Sequence, residues 1–127
     1  MMSHADSTKH IALRVRATDG TMQTIRLTVA EPHEAGTLVV LTPAGEVDRR
    51  FELSRLRKDR NGTQLTCYVS GATATLSLRG DKNPPELHVL ASLFFPVFAA
   101  VYQIDAAEQE RFMAWINDLR IGPLTTP

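Results

Sequence analysis

The densest group of residues that could do chemistry is a basic segment at positions 49–60. It reads Arg-Arg-Phe-Glu-Leu-Ser-Arg-Leu-Arg-Lys-Asp-Arg, with six basic and two acidic side chains. Guanidinium and ammonium groups bind carboxylates and phosphates because they donate charge-assisted hydrogen bonds. The segment therefore predicts a surface that recognises an anionic partner.

The side chains expected on this surface alternate along a strand and have hydroxyl groups beside them. If Arg55 and Arg57 point outward, hairpin pairing places Tyr68 and Thr66 next to them. The alternative is a solvated strand whose charges protect an exposed edge from aggregation. The candidate residues for binding an anion or a partner are Arg49, Arg50, Arg55, Arg57, Lys58 and Tyr68.

The other reactive residue types form no recognisable catalytic or metal-binding pattern in the sequence. The four histidines are scattered, without the i,i+4 spacing or cysteine partners of zinc sites. The single cysteine, Cys67, is expected to point inward, where a thiol is inert. Residues 69–71, Val-Ser-Gly, lack the first glycine of a nucleophile elbow, and no phosphate-binding glycine loop occurs. We therefore expect no catalytic residue, metal or cofactor, which favours binding over catalysis.

Composition and charge indicate one ordinary globular domain. The chain has 127 residues, 43% of them hydrophobic and 22% charged. Its 14 basic residues balance 14 acidic ones, so no overall charge draws it to nucleic acid or anionic lipid. The polar start at residues 1–10 has no apolar run of a secretory signal, and together with the lone thiol this predicts a cytoplasmic location.

The most apolar stretch, residues 87–104, is long enough to cross a bilayer, but its composition argues against that. Polar residues and Pro96 interrupt it, and no cluster of Lys or Arg flanks it. We expect two buried elements broken near Pro96, with residues 97–103 forming a strand or a short helix.

Turn residues recur at short intervals along the chain and separate segments rich in Val, Leu, Ile and Thr. A two-residue turn at 70–71 pairs Leu65 with Leu76 on an apolar face, and Thr66 with Thr75 on a polar one. The sequence therefore predicts a mainly β fold, with about seven antiparallel strands in a meander that forms a bent sheet or a small barrel.

Two other hairpins need particular turns to keep their apolar faces together. A three-residue loop at 18–20, with Gly20 in the left-handed region, sets Leu13 against Ile25. An Asn61-Gly62 turn places Leu56 opposite Cys67, which requires a bulge near Ser54 and Arg55 to bring Leu53 to the same face. The segment at 38–41 is apolar on both sides, which predicts burial on both faces.

A C-terminal helix is predicted at 105–120, and it caps the β-structure. Asp105 suits the N-cap, with Glu108 reaching back as in a capping box, and Gly122 and Pro123 suit the end of the helix. Four apolar residues fall on one stripe: Phe112, Trp115, Ile116 and Leu119. We expect tails at 1–10 and 123–127 around a single domain at 11–122.

The strand meander followed by a helix with a central Trp115 resembles the pleckstrin-homology-like (PH-like) superfamily. The most similar segment is residues 105–119, Asp-Ala-Ala-Glu-Gln-Glu-Arg-Phe-Met-Ala-Trp-Ile-Asn-Asp-Leu. The resemblance implies a bent barrel with one end plugged by the helix. Lipid-binding members carry Arg-x-Arg on the second strand, whereas here Arg14 and Arg16 stand on the first and Arg26 is alone on the second. The resemblance therefore implies a peptide-binding or scaffold module rather than a phosphoinositide site.

Three functions are compatible with these features. The first is a non-catalytic binding or scaffold module that recognises a protein or an anionic ligand through the 49–60 face. The second is a small barrel that holds an apolar molecule, with modest enzymatic activity as one possibility. The third is a homo-oligomeric domain that associates through residues 93–101, whose apolar surface exceeds what one small core covers.

Overall fold

The computed structural model describes residues 8–31, 34–59, 63–69, 72–79, 85–92 and 96–121, and structural statements below refer to these residues. Eight strands follow one another as an antiparallel meander, and one helix follows them. Their bounds are β1 Thr8–Arg16, β2 Met22–Ala30, β3 Ala35–Leu41, β4 Val47–Lys58, β5 Gln64–Val69, β6 Ala72–Arg79, β7 Glu86–Ser92, β8 Pro96–Gln103 and α1 Ala106–Asp118.

The predicted mainly β fold is confirmed, and the structure decides between the alternatives that the sequence left open. The sheet is a closed barrel rather than an open one, and it has eight strands instead of about seven. Residues 97–103 belong to strand β8 and not to a helix. Within the described ranges, no helix combines the length and hydropathy needed to cross a membrane.

The registers deduced from side-chain parity for the β1–β2 and β5–β6 hairpins are confirmed. Leu65 pairs with Leu76 and Thr66 with Thr75 across β5 and β6. Leu13 pairs with Ile25 across β1 and β2, and Gly20 has a φ of +88° at the turn between them. The predicted N-terminal tail at 1–10 is too long, because β1 begins at Thr8 and pairs with β2 from that residue on. Residues 1–7, the predicted tail at 123–127 and the turns at 61–62 and 70–71 lie outside the described residues.

The predicted bulge in β4 is also present. The β4–β5 register shifts between Ser54 and Arg57, and Arg55 takes the left-handed φ of +54°. The extra residue brings Leu53 and Leu56 to the same side of the strand, and they are only 6% and 0% exposed. The bulge therefore keeps both halves of this long strand in contact with the core.

The core fills the barrel with inward-pointing residues of alternating strand positions. Leu13, Val15, Ile25 and Leu27 are no more than 1% exposed, whereas the residues between them on β1 are exposed. Strand β3 is the exception, because Leu38, Val39 and Val40 are all buried. The expectation that this segment is covered on both faces is therefore confirmed at Val39.

The barrel closes through very little strand pairing. Strand β1 pairs with β8 at one position only, Arg16 with Gln103, because the two strands are strongly staggered. We call the region where their edges diverge the seam. Helix α1 lies beside β1 below the seam, on the side toward the end of β2. It takes the position next to β1 that a strand would otherwise occupy.

Helix side chains satisfy the edge of β1 along the seam. The backbone N–H of Arg14 donates to Glu108 Oε2 at 2.6 Å, and Arg111 Nη1 donates to the carbonyl of Ala12 at 3.1 Å. Glu108 and Arg111 also form an ion pair with each other. Exposed strand edges need such partners because unpaired backbone groups otherwise recruit other strands.

Helix α1 confirms the predicted cap and covers the lower opening of the barrel. Asp105 is the N-cap and accepts a hydrogen bond from the Glu108 N–H at 2.8 Å. The expected return bond from the Glu108 carboxylate is not formed, because that carboxylate binds the Arg14 N–H instead. Phe112 and Ile116 are fully buried, and Trp115 is half-buried and stacks on Phe112 with ring centroids 6.4 Å apart.

Candidate functional site

The predicted basic face on β4 contains one close pair of candidate residues. The Arg55 guanidinium lies over the Tyr68 ring, 5.5 Å from its centroid. Both residues are exposed, and the left-handed bulge at Arg55 directs the side chain toward β5. The pair forms a cation–π contact, which leaves guanidinium N–H groups available to an anion.

Two other candidates on β4 are held by contacts within the chain. Arg57 donates to Glu34 Oε1 at 2.5 Å across the barrel end. Lys58 Nζ donates to the carbonyls of Ile116, Asn117 and Leu119 at 3.3, 3.1 and 2.7 Å. A cation at the C-terminus of a helix satisfies carbonyls that have no partner in the helix and complements its dipole. Lys58 therefore fastens the last turn of α1 to β4.

The remaining two candidates stand nearer the start of β4. Arg50 pairs with Glu52 at 2.9 Å on the exposed face. Arg49 pairs in register with the inward-pointing Val40 and lies close enough to Tyr102 to act on its titration. Burial raises the pKa of Tyr102, nearby Asp48 raises it further, and Arg49 opposes both effects. The six predicted residues are therefore distributed among several local contacts rather than gathered in one open patch.

A second basic site, at the seam, has the form of a binding groove. The groove has a volume of about 570 Å³, within the range of small-molecule sites. Basic side chains line it from two elements, Arg14 and Arg16 on β1 and Arg111 on α1. The rest of its wall is partly apolar, from Ala12, Met22, Ile104 and Ala107. The remaining lining residues are polar: Gln103, Asp105 and Glu108.

The hydrogen bonds in this seam groove leave two arginines available. Asp105 and Glu108 already accept backbone N–H groups, and Arg111 donates to Glu108 and to Ala12. Arg16 makes only one long contact, to the Gly20 carbonyl at 3.4 Å. No described residue hydrogen-bonds or ion-pairs with the Arg14 guanidinium. Both side chains are exposed on the outer face of β1, about 7 Å apart along the strand.

The sequence contained part of the signal for this groove. Arg14 and Arg16 alternate with the core residues Leu13 and Val15, which places both arginines on the outer face. The contribution of Arg111 could not be predicted, because it depends on where α1 crosses β1 at the seam. Parity within a hairpin carries no information about the stagger of the first and last strands.

The barrel interior is apolar and nearly full. A cavity of about 30 Å³ remains between residues such as Phe51, Leu56 and Cys67, which is about the volume of one water molecule. Cys67 is 9% exposed and points into this space, as predicted. Burial raises the pKa of its thiol to about 11.

Metal-binding geometry is not found among the described residues, where no three His, Cys, Asp or Glu side chains come together. His88 contacts Glu86 at 2.9 Å on neighbouring positions of β7. Comparison of the chain with family models, curated proteins and solved structures gave no match.

The triple contact of Lys58 predicts a measurable loss of stability in Lys58→Met. Methionine keeps the packing but leaves three carbonyls without that donor, at a cost of about 1–3 kcal/mol. Lys9→Met is the matched control, because Lys9 pairs at 3.4 Å with an Asp118 carboxylate that is 76% exposed, a contact worth less than about 1 kcal/mol. Urea unfolding followed by Trp115 fluorescence measures both, and equal losses would contradict the assigned role of Lys58.

The burial of Cys67 predicts slow thiol modification in the native protein. A pKa of about 11 instead of 9.0 lowers the thiolate fraction at about pH 8 roughly 100-fold. Iodoacetamide labelling, followed by mass spectrometry, should therefore be at least that much slower in native than in urea-unfolded protein. The native rate should rise about tenfold per pH unit until the pH approaches the raised pKa. A plateau near pH 9 in the folded protein would show that the thiol is not desolvated.

Proposed function

We propose that this protein is a non-catalytic binding module whose seam groove holds a small organic anion. The observation that carries the proposal is the pair Arg14 and Arg16, which face the groove with little or no engagement of their guanidinium groups by described residues. Guanidinium groups recognise carboxylate and phosphate with paired, charged hydrogen bonds.

The walls of the seam groove define the ligand further. The basic side chains lie beside apolar surface from Met22, Ile104 and Ala107. Such a lining suits a molecule with a carboxylate or phosphate at one end and an apolar body that covers this surface. The groove holds three arginines and two carboxylates, so its net charge of about +1 favours a ligand with a single anionic group.

The other expectations from the sequence have less support. An apolar ligand inside the barrel would need far more space than the cavity of about 30 Å³ provides. Anion recognition by the β4 face would rest mainly on Arg55, because Arg50, Arg57 and Lys58 contact other groups of the chain. The PH-like resemblance and a cytoplasmic location stay predictions, and the proposal depends on neither.

A titration with small probes tests the proposal. Phenyl phosphate and benzoate carry the charge and the apolar ring, and benzyl alcohol is the neutral control. We expect binding of the two anions in isothermal titration calorimetry that weakens as salt is raised. In the double variant Arg14→Ser/Arg16→Ser, the affinity should fall at least about tenfold, because each charged hydrogen bond is worth about 1.5–3 kcal/mol.

The double variant Arg49→Ser/Arg50→Ser is the matched control, because it removes the same charge from exposed positions on another strand. It should bind the anions as the natural chain does. If this control loses binding and the β1 variant keeps it, the site is the β4 face and the seam groove proposal is wrong. Equal binding of benzyl alcohol and benzoate would exclude anion recognition altogether.

A further inference from the structure

Among the described residues, the outer edge of β8 has no strand partner over most of its length. Gln103 pairs with Arg16 of β1, and no described residue pairs with positions 96–102 on that side. The other edge of β8 pairs with β7 along its length, with a register shift between Phe98 and Pro96. Backbone donors and acceptors therefore line one side of this strand without a ladder.

The stagger at the seam produces this edge. The β1–β2 hairpin turns back just above Arg16, at residues 17–21, whereas the seven residues of β8 that precede Gln103, 96–102, extend past this turn. Seven residues of strand extend roughly 23 Å. A gap of about 360 Å³ is lined by Ala99 and Val101 of β8, by Ala17 and Thr18 of the hairpin turn, and by Asp48 of β4.

The strand itself carries none of the charges that usually protect such edges. Residues 96–103, Pro-Val-Phe-Ala-Ala-Val-Tyr-Gln, contain no Lys, Arg, Asp or Glu, and Pro96 stands only at the first position. Apolar side chains are exposed beside it, with Leu90 at 44% and Val101 at 37%. Leu90 pairs in register with Ala99, which is also exposed, so these residues form a continuous apolar strip on the outer face.

We propose that the β8 edge is a homodimer interface, in which two copies of the chain pair β8 with β8 in antiparallel orientation. A two-fold axis across the strand gives every unpaired N–H and carbonyl a partner from the same segment. The segment has no charges that would repel its copy, and the chain as a whole has zero formal net charge. The same axis brings the apolar strips of the two copies next to each other.

A second copy explains these features better than a charged peptide, because residues 96–103 have no charged side chain that would attract such a peptide. The interface uses neither Arg14 nor Arg111, so it stands or falls separately from the proposed anion site. Its chemistry is that of strand addition, in which main-chain hydrogen bonds supply affinity and neighbouring side chains supply fit.

Val101→Lys tests the interface without touching the core, because this side chain lies on the outer face. Sedimentation velocity from about 1 μM to about 1 mM should show a dimer of the natural chain and a dissociation constant at least about tenfold higher in the variant. Val47→Lys is the matched control, since Val47 is 60% exposed on β4 and should leave the dimer unchanged. Circular dichroism verifies that both variants keep the strand signal.

Hydrogen exchange locates the contact independently of any substitution. Amides within residues 97–102 should become more protected as protein concentration rises, while those of β5 should not change. A monomer at the highest concentration would overturn the proposal. A dimer that persists in Val101→Lys, or that forms without added protection in 97–102, would overturn it as well.

Discussion

The hydrogen bond from the backbone N–H of Arg14 to the carboxylate of Glu108 joins the two parts of the molecule that strand pairing leaves apart. Every other neighbouring pair of strands shares several residue pairs, whereas β1 and β8 share one. The edge of β1 below Arg16 therefore depends on the helix. Glu108 is well suited to this role, because its side chain is 13% exposed and is held by Arg111 on its other oxygen.

Burial fixes the helix in the position that this contact requires. Phe112 and Ile116 insert into the core, and Lys58 binds the carbonyls at the opposite end of α1. Arg120 adds a backbone N–H bond to Glu31 at 2.7 Å. The helix is thus attached to β1 and β4, and the chain just after it to Glu31 at the end of β2, which makes the helix an integral wall of the barrel.

The same stagger accounts for both proposals. Below the seam, the helix approaches β1 at its N-terminal turn and leaves a groove in which Arg14, Arg16 and Arg111 meet. Above the seam, β8 extends past the β1–β2 turn, and no strand of the described part of the chain pairs with its edge there. One geometric feature, the offset between the first and last strands, therefore creates a candidate ligand site and a candidate dimer interface.

Local features of this fold were predictable and the closure was not. Alternation of apolar and polar residues determined the β1–β2 and β5–β6 registers, and the conflict between Leu53 and Leu56 required the bulge at Arg55. The offset of β1 and β8 arises from the whole ring, so no local pattern reveals it. The charges at 49–60 predicted a basic face, but Arg57 and Lys58 contact Glu34 and the end of the helix instead, and these partners lie far away in the sequence.

The most direct test of this account is hydrogen exchange of the Arg14 amide, measured by NMR in the natural chain and in Glu108→Ala. We expect a protected amide in the natural chain, and exchange at least about tenfold faster in the variant, because a charged acceptor worth about 1.5–3 kcal/mol is lost. Glu110→Ala removes an exposed carboxylate from the same helix and should leave the amide protected. An Arg14 amide that exchanges equally fast in the natural chain and in Glu108→Ala would show that the helix does not complete the barrel.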